Sequence, residues 1–256
     1  MGAKTTTALV RRPSMILLFT DFGLSGPYTG QMKAVLAQQA PGVPVIDLFA
    51  DAPAFDPQLS AYLLAAYAPA FPAGSVFLSV VDPGVGTDRR PVMVEADGRW
   101  FVGPDNGLFA LIARRATSLN AWTIDWIPDR LSASFHGRDL FAPVAASLAT
   151  GRAVARSPLD PAAIDRPDWP DELACIVYVD VYGNAMTGMR ASTLPADAVL
   201  IAGGARIAPA HTFGAVGPGQ PLWYENSNGL AEIAVNRGRA EDVLGLKVGD
   251  AVTMET

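Results

Sequence analysis

Four aspartates, one arginine and one histidine are the residues of this chain best set up for chemistry. Asp21, Asp51, Asp82 and Asp180 each close an apolar run. A buried strand that delivers a carboxylate to its carboxyl end is a common geometry of α/β active sites. The clearest case is Val76-Phe77-Leu78-Ser79-Val80-Val81-Asp82, followed by Pro83-Gly84-Val85-Gly86 and then by Arg89-Arg90. Asp-Pro-Gly is also ordinary turn chemistry, so this stretch alone serves equally for a catalytic acid and for a capped turn beside solvated arginines. His136 stands in Ser134-Phe135-His136-Gly137-Arg138-Asp139. Its imidazole titrates near neutrality, which suits both proton handling and a purely structural hydrogen bond.

Other chemistries are excluded. The single Cys175 rules out an intrachain disulfide and a multi-cysteine metal site, and its apolar setting reads as a packed thiol. Neither histidine has a Cys or Glu at ligand spacing, so no metal is expected. There is no Gly-x-Ser-x-Gly elbow, no Walker loop and no Gly-x-Gly-x-x-Gly fingerprint. A net charge of −6 argues against a nucleic-acid surface. No apolar run is long enough to span a membrane.

The elements that must carry these residues follow from hydropathy. Half of the 256 residues are hydrophobic, enough for a sizeable core. Met15 to Phe19, Val43 to Phe49 and Ser75 to Val81 read as buried strands. Between them, Met32, Val35 and Leu36, and then Leu59, Tyr62, Leu63, Ala66 and Tyr67, recur at helical spacing. Strand–helix alternation predicts a parallel α/β sheet. Asp97-Gly98 between 91–96 and 99–102 predicts a hairpin. Helices are expected from Leu108 to Arg115 and from Leu140 to Ala149. Residues 157–171, rich in Pro and Asp, read as a linker. Short strands with Gly/Asn turns come next, predicting an all-β region. The expected organisation is a disordered tail over 1–13, an α/β domain over 14–156 with a mainly parallel sheet flanked by helices, a linker over 157–171 and a smaller all-β domain over 172–256. The tail carries no convincing signal for export, so a cytoplasmic protein is expected.

Several blocks together resemble one family. They are Thr20-Asp21-Phe22-Gly23 with Tyr28-Thr29-Gly30-Gln31-Met32-Lys33; Val81-Asp82-Pro83-Gly84-Val85-Gly86 with Arg89-Arg90-Pro91; Phe101-Val102-Gly103-Pro104-Asp105-Asn106-Gly107-Leu108; and Phe135-His136-Gly137-Arg138-Asp139 with Phe141-Ala142-Pro143. Asp180, Gly183-Asn184, Glu225-Asn226-Ser227, Gly229 and Ile233-Ala234-Val235-Asn236 look like its C-terminal blocks. The resemblance runs from about residue 15 to the end. The family is the S-adenosylmethionine hydroxide adenosyltransferases, relatives of fluorinase and chlorinase enzymes.

This resemblance implies a homotrimer, each subunit having an N-terminal α/β domain and a C-terminal β-barrel. It implies an active site between one subunit's N-terminal domain and its neighbour's C-terminal domain. The implied reaction is hydrolysis of S-adenosyl-L-methionine to adenosine and L-methionine, with no cofactor and no membrane or nucleic-acid partner. Asp82, Arg89 and His136 would handle the water, with Arg89 stabilising hydroxide character, His136 accepting a proton or orienting the water, and Asp82 holding the others. Tyrosines replace Asp82 and His136 in the halide-using relatives. Asp21 matches the acid on the ribose hydroxyls, Phe55 an aromatic against the ribose, and Asn184 the adenine-reading asparagine. Phe213 matches an aromatic beside the adenine, and Asp180 and Ser227 match the methionine end. Two departures are Gly26, where the halogenases carry aspartate, and Asn228, where the fluorinase carries arginine. The competing functions are adenosyl transfer to halide or another nucleophile and a non-catalytic sensor of the same ligand. A methyltransferase lacks support, because no glycine-rich loop follows the first strand.

Overall fold

The computed structural model describes residues 15–255; the tail expected over 1–13 lies outside them. The first elements are β1 (Ile16–Thr20), α1 (Tyr28–Gln39), β2 (Val45–Phe49), α2 (Pro57–Tyr67) and β3 (Val76–Val80), alternating as the hydropathy predicts. β1 and β3 are buried along their whole length, which is what continuous apolar runs require. β1 pairs in parallel with both β2 and β3. The chain therefore steps outward from β1 to β2 and then back past β1 to β3. Parallel crossovers are right-handed, so two steps of opposite sense leave α1 and α2 on opposite faces. Met32 and Leu36 of α1 accordingly belong to one core, and Leu63 and Leu64 of α2 to the other. Asp56 caps α2, its Oδ1 accepting from Leu59 N at 2.9 Å.

The sheet then changes sense. β4 (Pro91–Ala96) and β5 (Arg99–Pro104) form the expected hairpin. Asp97 and Gly98 both take positive φ, 47° and 76°, as a tight two-residue turn demands. β5 inserts beside β3 in parallel, with Phe101 opposite Phe77, and β4 is left outside it. α3 (Ala110–Arg115), β6 (Leu119–Ile124), α4 (Ala142–Ala149) and β7 (Arg156–Leu159) complete this part of the chain. The order is β2-β1-β3-β5-β4-β6-β7. The expectation of a mainly parallel sheet is thus corrected: three pairings are parallel and three antiparallel. The cause is the Asp97-Gly98 turn, which reverses the chain without a crossover helix.

Residues 157–171 begin in β7, which pairs with β6, and turn through Pro161–Ile164. Arg114 holds residues 165–171, donating to Asp165 Oδ1, Arg166 O, Trp169 O and Asp171 Oδ1 at 2.7–3.1 Å. Beyond lie β8 (Leu173–Val179), β9 (Ala185–Arg190), β10 (Leu200–Ala202), β11 (Ala205–Ile207), β12 (Pro221–Glu225), β13 (Leu230–Val235), α5 (Ala240–Leu244) and β14 (Thr253–Met254). They make two antiparallel sheets, β12-β13-β9-β8 and β11-β10-β14. The short helix α5, ended by Gly245 at φ 67°, departs from the all-β expectation.

The first of these sheets packs on α2. Val177, Met186 and Leu230 join Leu63 and Leu64 in one core, and the Tyr62 hydroxyl donates to Pro170 O. Asp51, at the end of an apolar run, accepts from Tyr178 Oη at 2.9 Å. It ties the two regions together and lines neither of the two large cavities. No described helix is long and apolar enough to cross a membrane.

Candidate active site

Because β2 and β3 lie on opposite sides of β1, the carboxyl ends of β1 and β3 border a topological switch point, where α/β sheets bind ligands. Thr20 is in register with Val80, so Asp21 and, one residue further along, Asp82 leave neighbouring strands side by side. They line a cavity of ≈ 480 Å³ with Phe22, Tyr28, Phe55, Phe135 and His136.

Arg89 stands behind Asp82 and His136 and binds both. Its Nε lies 3.0 Å from each Asp82 oxygen, and its Nη2 is 2.5 Å from Oδ2. The same Nη2 is 2.9 Å from His136 Nδ1. The Arg89 and Asp82 side chains are only 9% and 4% exposed, so the pair is shielded from screening. The guanidinium also lies over the Phe141 ring, 5.1 Å from its centroid. Arginine has no acceptor, so His136 Nδ1 must carry the lone pair. Burial, and after it the Arg89 charge, push the His136 pKa below its usual value, against the opposing pull of Asp82 and Asp139. The imidazole is therefore neutral at pH 7 and its hydrogen sits on Nε2.

Local sequence builds this cluster. Asn106 Nδ2 donates to Val81 O at 2.8 Å and fixes the chain just before Asp82. Arg90 reaches Asp105 Oδ2 at 2.6 Å beside it. The turn returns at Gly86, whose φ is +79° and whose missing Cβ would lie 2.4 Å from the Ala133 carbonyl oxygen. That close approach brings the loop carrying His136 onto the turn carrying Arg89. The loop is closed by Asp139, which accepts from Ser132 N and from Arg138 Nε. Phe22, Tyr28 and Phe135 pack together with centroids 5.5–5.9 Å apart. After His136 the chain makes one wide π-turn, Gly137–Phe141, before α4, a feature frequent at functional sites.

Asp21 is engaged with Phe55, whose backbone N–H donates to Asp21 Oδ2 at 3.0 Å. Phe55 has φ 61°, a left-handed conformation costing an aromatic residue about 1–3 kcal/mol. The residue is 79% exposed. Burial raises the Asp21 pKa, opposed by the Phe55 amide.

The remaining expected residues, Asp180, Asn184, Phe213 and Ser227, line a different cavity of ≈ 600 Å³ in the C-terminal region. The two cavities share no lining residue. Asp180 Oδ1 accepts from Tyr182 N and Asn184 N at 2.9 and 2.8 Å, and its Oδ2 from Asn184 Nδ2 at 3.2 Å. The amide of Asn184 is thereby oriented, leaving its carbonyl oxygen available to a ligand donor. Ser227 Oγ accepts from Asn228 Nδ2 at 3.1 Å, and Phe213 packs against Tyr224. Tyr67, Tyr182, Tyr224, Asn226, Glu232 and Arg237 also line this cavity, and sequence reasoning missed them. Glu232 had left a signal, a charge inside the buried run Leu230–Val235. Among the described residues, no cluster of three or more His, Cys, Asp or Glu is arranged to hold a metal ion.

A crevice at a strand switch point, holding a neutral imidazole wired to a buried ion pair, is the architecture of an enzyme. Residues 16–157 match the SAM hydroxide adenosyltransferase N-terminal domain and residues 174–253 the C-terminal domain; the chain belongs to that family. A Thermus thermophilus protein named (R)-S-adenosyl-L-methionine hydrolase is 42% identical over 264 residues, covering 93% of this chain and 98% of its own. The fluorinase of Nocardia brasiliensis is more distant, 25% identical over 172 residues and 57% of each chain. The crystal structure of an uncharacterized conserved protein from Thermotoga maritima superimposes with a TM-score of 0.81 at 30% identity, over 94% of this chain and 100% of that one.

Gly86→Ala tests the close approach of the two loops. It is expected to cost about 1–3 kcal/mol, lowering Tm by several degrees, and to depress activity further in the folded fraction. Unchanged Tm and activity would overturn the account of that turn.

Proposed function

We propose that this protein hydrolyses S-adenosyl-L-methionine, in the (R) sulfonium configuration that its relative's name carries, to adenosine and L-methionine. The observation that carries the reading is the Asp82–Arg89–His136 cluster, of which Asp82 and His136 line the first cavity. The substrate sulfonium leaves as neutral methionine, so the leaving atom needs no acid and the chemistry needs no cofactor. What the reaction requires is a water aimed in line at the ribose C5′. His136 Nε2–H donates to that water, and Asp82 Oδ1, which accepts only from Arg89 Nε among the described residues, takes one of its hydrogens. Arg89 acts through both, holding their geometry. The balance is substrate cation plus water giving adenosine, methionine and one proton, which departs by way of Asp82. Positioning of this kind supplies on the order of 7 kcal/mol when well aligned.

Asp21 takes the two ribose hydroxyls, against the face of Phe55. Asn184 reads the adenine with its free carbonyl oxygen, Phe213 flanks the base, and Asp180 and Ser227 meet the methionine end. These groups are split between two cavities of one chain, and exposed apolar side chains such as Phe55, Val181 and Tyr182 stand by them. That split supports a homotrimer in which each N-terminal cavity faces a neighbour's C-terminal one, with the two antiparallel sheets closed as a barrel. The domain limits follow the same division, 14–156 and 172–256 joined by 157–171, in a cytoplasmic enzyme. Asp82 and His136 in place of tyrosines favour water over halide as the nucleophile. The buried, fully wired cluster favours turnover over a sensor.

Incubation with each sulfonium epimer in 18O-water, with mass spectrometry of the nucleoside, tests the reaction. Label is expected at the 5′ oxygen of adenosine from the (R) epimer; tight binding without turnover would overturn hydrolysis. His136→Ala and Arg89→Ala should each lower kcat by roughly a hundredfold. The pH profile tests the tautomer. Protonation would put a hydrogen on His136 Nδ1 facing the Arg89 N–H, so activity falls as pH drops through the lowered His136 pKa. The acid limb of kcat/KM is expected below pH ~6.5, the ordinary histidine value; a limb above it would remove His136 from this role. Mixed oligomers of Asp82→Ala and Asp180→Ala subunits should regain about a quarter of the sites if each site spans two subunits. No recovery would overturn the shared site.

A further inference from the structure

Among the residues lining the C-terminal cavity is an acid that the hydrolytic steps leave unused. Glu232, in β13, is 3% exposed and lines the cavity together with Asp180. Its carboxylate accepts from the Tyr224 hydroxyl and, at 2.9 Å, from Asn226 Nδ2. Both donors are neutral. Among the described residues no Lys, Arg or His forms an ion pair with Glu232. Burial, and to a lesser degree the charge of Asp180, raise its pKa.

A buried carboxylate without a cation is costly unless something positive enters beside it. The geometry restricts what that can be. A carboxylate offers about four lone-pair positions. Two donors reach Glu232 and three reach Asp180, so each acid keeps an open acceptor position. Two neighbouring carboxylates with vacant acceptor positions suit a primary ammonium, which is cationic and carries three N–H donors.

We propose that Glu232, with Asp180, is the counter-ion of the substrate's α-ammonium, and so selects an amino-acid-bearing sulfonium over other adenosyl sulfonium compounds. This rests on the reading that the C-terminal cavity receives the methionine end. The sulfonium itself is not the partner of Glu232. Its charge vanishes as the carbon–sulfur bond breaks, so a carboxylate matched to it would stabilise the ground state against the transition state. The ammonium keeps its charge throughout, and an acid placed there assists binding without opposing departure. The effect belongs in KM rather than kcat.

The test is a thermodynamic cycle that combines Glu232→Gln with a substrate analogue lacking the α-amino group. For wild-type protein, removal of the amino group is expected to weaken binding tenfold or more. In Glu232→Gln that penalty should shrink to about threefold or less, with KM for the full substrate raised tenfold and kcat nearly unchanged. Adenosine, which has no ammonium, should bind both proteins equally. Equal penalties in the two proteins would overturn the proposal. So would a matching loss of adenosine affinity, or a fall in kcat at constant KM. Arg237 lines the same cavity; if it is the true partner of Glu232, the cycle shows no coupling to the amino group. Should Gln not be tolerated, Glu232→Asp keeps the charge, shortens its reach and is read in the same cycle. All arms can be measured as equilibrium binding, so the ammonium contact is judged even if the chain binds the substrate without hydrolysing it. In that case hydrolysis fails and this proposal stands.

Discussion

The contact on which the rest of the site depends is the fork of Arg89 between Asp82 and His136. The guanidinium is nearly enclosed, and its charge is matched only because Asp82 lies at the end of β3 and accepts from it. Removing one partner of such a buried pair costs about 3–5 kcal/mol. The strand end, the turn through Gly86 and the loop before α4 are therefore one unit. Asn106 fixes the strand end from below through Val81 O, Phe141 supplies the surface on which the guanidinium lies, and Ala133 meets the backbone of Gly86. Displacing any one of them moves a hydrogen bond of Arg89. The imidazole receives its tautomer from the same contact, so protonation state and geometry are set together.

That unit accounts for one of the two cavities. The first cavity presents the groups suited to water and ribose, while the second is rich in acids, amides and tyrosines. Both carry aromatic side chains turned to solvent, Phe55 at one and Tyr182 at the other. Phe55 and Arg237 hold left-handed backbone conformations. Strain of this kind persists where surrounding contacts over-determine it, and it collects at ligand clamps. In the proposed shared site the separation has a chemical use: apposition of the two surfaces expels water at closure, which strengthens every remaining electrostatic contact.

Much of this was legible in the sequence, because continuous apolar runs and helical spacing report burial directly. β1, α1, β2, α2 and β3 follow from those patterns, and the acids at the ends of β1 and β3 follow from the strands. Strand direction was not legible in the same way. Apolar periodicity is identical for parallel and antiparallel neighbours, and only the Asp97-Gly98 turn carried the reversal. Partners distant in sequence were also hidden. Asp51 had the same local setting as Asp21 and Asp82, yet it is consumed by Tyr178, 127 positions away. Glu232 left a trace as a charge in a buried strand, but its donors Tyr224 and Asn226 come from β12 and the turn after it. The grouping of Asp82, Arg89 and His136 rested on family resemblance rather than on spacing, and it is a single hydrogen-bonded cluster in the fold.

The charges of the two cavities divide according to what happens to charge during the proposed reaction. At the reacting centre a positive sulfonium and a hydroxide-like water neutralise each other, so that centre gains from being dry and from having no net charge pressed against the sulfur. Asp82 and Arg89 cancel, and His136 is held neutral by burial and by Arg89. The cluster therefore orients water without adding a field that would hold the leaving group back. At the amino-acid end nothing changes charge, so formal charges there are free of that constraint. Asp180 and Glu232 stand in that cavity, remote in the chain from the triad. Had either carboxylate been built into the first cavity beside the sulfur, the same attraction that tightens binding would have raised the barrier.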